Sequence, residues 1–418
     1  MGEIYDLFLQ ALTAALKNEE VSWTEELSPQ TWLSLFRLAE MHHILPMIYG
    51  AVYSCPAAKE ADPKLFFSYK QRTIQMVTLQ TMKTSEFLRL YQKLADAGIT
   101  PLVVKGLICR NLYPNPDERL SGDEDILIPD GQFALFHRVM TEDGMVCADA
   151  DLDVEQAYEV PYGKKGSPIY IEAHKFLFPP ESEAYGDLNR FFSDIRERAV
   201  EVCVDGTPVL TMGYTDHLFY LICHAFKHLL HSGVGIRQVC DIALFANTYG
   251  REVDWQLLLK QCREIRADLF TAALFRIGRK YLTFDPVRAC YPAEWSEIKV
   301  DETLLLQDLL DAGVYGGGSM SRKHSSNMTL QAVAAQKQGK RAGSGVLKSL
   351  FPTAKALEKR YPYLKKKPFL LPAAWISRIW SYKKETGEGN HNDASESIRI
   401  GEQRLELMKQ YGILDSGK

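Results

Sequence analysis

An α+β fold, a small mixed β-sheet flanked by N-terminal and C-terminal helical regions, is predicted by three observations. Residues 1 to about 95 carry helical periodicity, the stretch from 99 to about 211 changes to short strand-like apolar runs, and helical spacing returns from Thr215. In the first region, "SPQTWLSLFRLAEMHHILPMIYGAVY" places Trp32, Phe36, Ala39 and His43 at helical spacing behind Ser28, an N-cap followed by Pro29 at the first helical position. "FFSYKQRTIQMVTLQTMKTSEFLRLYQKLADAG" reads as one long amphipathic helix ending at Gly98.

"ITPLVVKG" is a short buried strand and "DEDILIP" a second. Between them, "LICRNLYPNPDER" reads as a short helix broken by Pro114 and Pro116. "SPIYIEAHKF" alternates as a third strand, with Tyr170, Glu172 and His174 on one face and Ile169, Ile171 and Ala173 on the other. "VEVCVDGTPVLTM" predicts a hairpin turning at Asp205-Gly206. "DHLFYLICHAFKHLLHSG" and "IRQVCDIALFANTYG" read as helices with glycine stops, and more helix is expected through about residue 312. "YGGGSMSRKHSSN", 315–327, is a flexible loop by composition, and a helix is expected from about Pro372. The expected organisation is a helical region at 1–95, an α+β core at 96–211, a helical domain at 212–312, a linker at 313–345 and a basic helical tail at 346–418.

The 418 residues, 46% hydrophobic, suffice for a packed core of more than one structural unit. Eight cysteines lie scattered with no C-x-x-C pair, which argues against a zinc knuckle or disulfide framework and for a reducing, cytoplasmic setting. The start is acidic and amphipathic, unlike a signal peptide, and no apolar run approaches the roughly 18 residues a transmembrane helix needs. Charge is uneven. Lys340 to Lys384 hold twelve Lys or Arg against one acid, Glu358, a net of +11 that leaves -15 on the rest of a chain whose total is -4. Such a tail either neutralises its own acidic body or attracts nucleic acid, nucleotide or anionic lipid.

The chemistry concentrates in "RLSGDEDILI". In an extended backbone Asp123 and Asp125 project to one side and Glu124 to the other. Two carboxylates that close retain a proton unless a cation lies between them, and Mg2+ is the hard ion that takes carboxylate and phosphate oxygens together. On that reading, neutralising both aspartates relieves repulsion. Ser121-Gly122 forms a turn before the acids, Lys105-Gly106 ends the preceding strand, and Arg119 lies where it can bind an anion. Glu172, with His174 on the same face, supplies the third acid from another strand, a layout that can hold two ions about 3.5–4 Å apart for displacement at phosphorus.

"VVKGLICRNLYPNPDERLSGDEDILIP" followed by "IYIEAHKF" resembles the uncharacterised nucleotidyltransferase family of the polymerase-β-like nucleotidyltransferase superfamily. "AEMHHILPMIYG" and "HLFYLICHAFKHLLHSGVGIRQVCDIALF" are similar to its helical regions. The resemblance implies transfer of a nucleoside monophosphate from NTP to an unidentified acceptor hydroxyl, with two Mg2+ ions or Mn2+ in their place. It implies Asp123, Asp125 and Glu172 as catalytic metal ligands, and Lys105, Gly106, Arg119, Ser121, Gly122 and His174 as nucleotide-binding residues. Two departures stand out. Lys-Gly occupies the place where the wider superfamily has Gly-Ser, and Glu124 replaces an apolar residue, so it must find a partner such as an arginine or lose its charge. The alternatives are a catalytically degenerate nucleotide-binding scaffold and an Asp-x-Asp glycosyltransferase.

His217, His224, His228 and His231 share roughly one helical face. No Glu follows His224 in the H-E-x-x-H manner, which favours hydrogen bonding at the helix–sheet junction over metal binding, with nucleotide or acceptor contact as the functional alternative. Arg237 and Asp241, one turn apart, either pair or contact base or acceptor. Lys164 and Lys165 either steer phosphate or form a solvated turn. Trp375 and Trp380 lie in an amphipathic stretch that reads as docking on the protein's own body, or as an interfacial membrane helix.

Overall fold

The computed structural model describes residues 2–313, 320–339, 357, 361–365, 367–377 and 394–415. The N-terminal region is built from α1 (Glu3–Leu16), α2 (Pro29–Met41), α3 (Leu45–Val52), α4 (Pro56–Lys59) and α5 (Pro63–Asp96). Ser28 caps α2 as expected, its hydroxyl oxygen accepting from the Thr31 N–H at 3.0 Å, with Pro29 opening the helix. Trp32, Phe36 and Ala39 are fully buried. His43 departs from the expected face, because α2 stops at Met41 and His43 turns outward at φ 54, leaving His42 as the buried histidine. Helix α5 runs for 34 residues, about 50 Å at 1.5 Å per residue, and Gly98 at φ 79 releases the chain from it.

The chain then builds β1 (Leu102–Val104), α6 (Gly106–Arg110), β2 (Glu124–Leu127), α7 (Phe133–Glu142), β3 (Val146–Cys147), β4 (Glu159–Gly163) and β5 (Tyr170–His174). The five strands form one mixed sheet in the order β1-β2-β5-β4-β3, in which β2 and β5 are parallel and the other neighbours antiparallel. The sheet separates two apolar cores. Leu102 and Val104 pack into the larger, which joins the N-terminal helices to the helical body. Val103, Ile126, Ile171 and Ala173 point the other way, against Phe87, Tyr91 and Leu94 of α5 and Phe136 and Met140 of α7. The predicted hairpin forms as β6 (Val200–Val204) and β7 (Thr207–Thr211), a separate two-stranded sheet. Both turn residues have positive φ, 46 at Asp205 and 78 at Gly206, the conformation of a tight two-residue turn.

The helical body follows as α8 (Tyr214–His231), α9 (Ile236–Tyr249), α10 (Trp255–Glu264), α11 (Asp268–Tyr281), α12 (Ala293–Glu297), α13 (Thr303–Ala312) and α14 (Met320–Lys337), with a C-terminal helix at Ala394–Gln410. Gly233, at φ 125, follows α8 as the expected stop. Gly250 serves a different end: its φ is -63, and a Cβ there would stand 2.3 Å from the Ala289 carbonyl oxygen, so the glycine permits close packing. The loop expected at 315–327 is corrected from Met320 onward. That stretch belongs to α14, where Met328, Ala332 and Val333 are buried and Thr329 donates to the Leu230 carbonyl at 2.5 Å. Glycine and serine content pointed to a loop, while burial against α8 decided for helix.

Residues 371–377 are helical, and Trp375 packs beside Leu357, Leu364 and Ala374 in a small satellite cluster. Trp380 and most of the basic stretch between Lys340 and Lys384 lie outside the described residues, as do 314–319 and 340–345 of the expected linker. No described helix is long and apolar enough to cross a membrane.

Candidate active site

Parallel pairing of β2 with β5 sets Asp125 directly opposite Glu172 and Leu127 opposite His174. Opposite residues of a parallel pair share a face, so the two carboxylates and the imidazole meet on one side of the sheet. Ligand atoms of Asp125, Glu172 and His174 all lie within 4.8 Å of one another. Asp123 stands outside that set; it precedes β2, is half-buried, and lines a cavity it shares with Asp125. The convergence expected of Asp123, Asp125 and Glu172 is thus found for two of the three, with His174 as the third donor.

The electrostatics are unbalanced. Burial, together with the charges of Asp125, Asp123 and Glu159, pushes Glu172 up to about 8 against the pull of Lys105. Burial also disfavours the Asp125 carboxylate, but Lys105 and His174 outweigh it and bring its pKa down to about 2. Lys105 Nζ lies 3.0 Å from Asp125 Oδ2, and His174 Nε2 lies 3.0 Å from Oδ1. The other ring nitrogen of His174 is 3.4 Å from Glu159, its register partner on β4. Lys105 and His174 therefore support Asp125, and the repulsion from Asp125 and Asp123 falls on Glu172.

Lys105 reaches Asp125 from an unusual backbone, φ 44 and ψ -108, at the junction of β1 and α6. Its N–H donates to His217 Nε2 at 3.1 Å, and His217 Nδ1 lies 3.2 Å from Thr211 Oγ1, whose proton goes to the Val103 carbonyl at 2.6 Å. With Nε2 accepting, Nδ1 carries the proton and the ring is neutral; burial accordingly lowers its pKa to about 3. Lys105 Nζ also lies 3.0 Å from His224 Nε2, which is 3.2 Å from His228 Nε2. His231 is paired with the Tyr185 hydroxyl at 2.6 Å. The hydrogen-bonded reading of these histidines holds, with His224 also lining the cavity.

Glu124 finds the arginine it required. It is fully buried and ion-paired with Arg110, and it accepts from Ser121 Oγ at 3.0 Å. Arg110 also donates to Thr84 at 2.6 Å and to Ser121 Oγ at 2.9 Å. A Cβ at Gly106 would stand 2.4 Å from Glu124 Oε2, so this glycine makes room for the Glu124 carboxylate, a steric role besides the nucleotide binding that the resemblance implies. The Ser121-Gly122 turn is pinned from α5: Lys83 Nζ donates to the carbonyls of Ser121 and Gly122 at 2.6 and 2.9 Å, and Gln80 accepts from the Ser121 N–H. Gly122 itself is exposed.

Arg119 is buried and held by both oxygens of Asp241, at 3.1 and 2.5 Å, while the Tyr113 hydroxyl donates to the same carboxylate at 2.8 Å. The pairing anticipated between Arg237 and Asp241 is corrected accordingly, since Asp241 takes Arg119 and Arg237 donates to the Leu120 carbonyl. Arg237 Nε has no hydrogen-bond partner among the described residues. Lys164 is tied to Asp143 at 3.0 Å and Glu86 at 3.6 Å, whereas Lys165 is exposed. Sequence reasoning missed Glu159, Arg110 and Lys83. It also missed Lys227, which is half-buried and carries a pKa lowered by burial and by Lys105, within electrostatic reach of Asp125 and Glu172.

The cavity beside Asp123 and Asp125 encloses about 30 Å3 and is lined by Lys105, Gly106, Arg119, Ser121, Arg237 and His224 among others. Gln238 and Asp241 complete its α9 side, and Glu172 and His174 do not line it. Asp125 is thus shared between a carboxylate cluster and a basic chamber, an arrangement suited to a divalent cation on one side and anionic oxygens on the other.

The model of a family described as "Uncharacterised nucleotidyltransferase" matches residues 28–283, which include the sheet, the carboxylate cluster and helices α8 and α9. The chain belongs to that nucleotidyltransferase family. No curated protein and no solved structure matches it.

Proposed function

We propose that the protein transfers a nucleoside monophosphate from an NTP to an acceptor hydroxyl, with Asp123, Asp125 and Glu172 as the acidic groups of a two-ion site for Mg2+ or Mn2+. The observation that carries this reading is the register pairing Asp125 with Glu172 beside a basic chamber, in a chain of this family. The donor set fits a divalent cation: one buried and one half-buried carboxylate and an imidazole on one sheet face, with Glu172 short of compensating charge.

Bound ions would neutralise the triphosphate and acidify the acceptor hydroxyl. Glu172 would take that hydroxyl's proton as the acceptor oxygen bonds to the α-phosphorus and the bond to pyrophosphate breaks. His174, between Glu159 and Asp125, orients Asp125. Lys105, beside Asp125, and Arg237 would serve the phosphates, while Arg119 is committed to Asp241 and shapes the chamber wall. His224 and Gln238 face the same chamber from α8 and α9 and contact nucleotide or acceptor. The basic tail favours an anionic acceptor, nucleic acid included.

One observation favours a second reading. The Lys105 ammonium already sits against Asp125, as it would in a scaffold that binds nucleotide with lysine in place of a metal ion. Incubation with labelled NTPs, Mg2+ or Mn2+ and a cell extract separates the two. Transfer of label to an acceptor, lost in Glu172→Gln, supports the enzyme. Nucleotide binding without transfer under either ion supports the scaffold.

A further inference from the structure

A second cavity, of about 420 Å3, opens where α11, α12 and the segments around them meet. Its size is that of small-molecule sites. Its apolar wall comes from Phe275, Phe284, Tyr291 and Trp295, packed ring against ring with centroids of Phe275 and Tyr291 4.9 Å apart. Trp295 is 1% exposed.

The rim is cationic. Arg276 is fixed by donating to the carbonyls of Ile298 at 2.8 Å and Val300 at 3.0 Å, which leaves its charge uncompensated. Arg279, three residues on along the same helix, is exposed and carries no ion pair among the described residues. Lys280 is paired with the rim's one acid, Glu302, at 3.7 Å. Among the described residues, two guanidinium charges therefore stand without an acid above an apolar floor.

We infer that this cavity binds a small anion with an aromatic body, an aryl or nucleoside phosphate or an aryl carboxylate, whose anionic group meets Arg276 and Arg279 while its ring lies on the apolar floor. The site is separate from the carboxylate cluster, shares no lining residue with the chamber there, and does not depend on the proposed transfer reaction. It lies close to α9 all the same: Gly278 of α11 faces both Phe284 of the cavity wall and Ala243 of α9.

The test uses the full chain labelled with 5-fluorotryptophan, its Trp295 resonance assigned from Trp295→Phe. Phenyl phosphate, benzoate, AMP, inorganic phosphate and benzyl alcohol are titrated separately by fluorine NMR and calorimetry. A saturable shift of the Trp295 signal by phenyl phosphate, at least tenfold weaker in Arg279→Glu and unchanged in Asp125→Asn, is the expected result. Arg279 is exposed, so that variant folds, and tighter binding of AMP than of phenyl phosphate or benzoate identifies a nucleotide as the natural occupant. Absence of a shift with all three aromatic anions overturns the proposal. So does inorganic phosphate or benzyl alcohol matching phenyl phosphate, or a phenyl phosphate affinity that Arg279→Glu leaves intact.

Discussion

Glu124 and Asp125 are neighbours in sequence and both are buried, yet the two faces of β2 treat them oppositely. Glu124 has a matching charge: Arg110 is its counter-ion, Ser121 donates to the same oxygen, and a glycine clears its path. Asp125 is held ionised by Lys105 and His174, and the shortage of positive charge falls on Glu172 beside it, crowded by Asp125, Asp123 and Glu159. The difference teaches how to sort buried carboxylates. A matched charge is a structural element whose loss costs stability, whereas crowded acids with too little positive charge form a place that gains from a cation.

The strongest way to break the comparison is Arg110→Ala, which strands Glu124 in the interior. It is expected to cost about 3–5 kcal/mol in denaturant unfolding. A cost under about 1 kcal/mol would mean that Glu124 is not structurally matched at all. Gly106→Ala probes the same face and should cost about 1–3 kcal/mol, since its methyl displaces the Glu124 carboxylate. On the opposite face, Glu172→Gln removes one of the crowded acids and should leave the melting temperature unchanged or raised, which calorimetry checks.

The junction between the faces titrates. His217 is neutral in the fold, its pKa lowered by burial to about 3, while the unfolded chain binds a proton near 6.5. The unfolded state therefore takes up the proton first. The stability contributed by neutral His217 is intact above about pH 6.5 and is lost progressively as the pH falls toward 3. His217→Gln, which keeps an acceptor for the Lys105 N–H, should flatten this acid limb in urea midpoints measured across that range. The smallest effect is expected at the exposed Arg190–Glu264 pair, where Arg190→Ala should cost no more than about 1 kcal/mol.

Much of the sheet was legible because its strands announce themselves. Unbroken apolar runs marked β1 and β2, alternation marked β5, and Asp-Gly marked the hairpin turn. β4 escaped because Pro161 sits inside it, and β3 because it has only two residues, Val146 and Cys147. With β4 went Glu159, the acid that positions His174. Face assignment along β5 was readable from period two, so the meeting of Glu172 with Asp125 needed only the pairing of the strands. The partners of Arg119 and Glu124 were not readable in the same way. Asp241 lies 122 positions from Arg119, and nothing local distinguishes an arginine that waits for phosphate from one already committed to a distant aspartate. The same blindness let Gly-Ser composition outweigh Met328, Ala332 and Val333 in α14.

Manganese binding by the full chain, followed by electron paramagnetic resonance with and without a non-hydrolysable NTP analogue, tests the central claim most directly. The account predicts saturable binding that strengthens with the nucleotide and weakens at least tenfold in both Asp125→Asn and Glu172→Gln while the fold persists. Binding that is equally strong in those folded variants would contradict it.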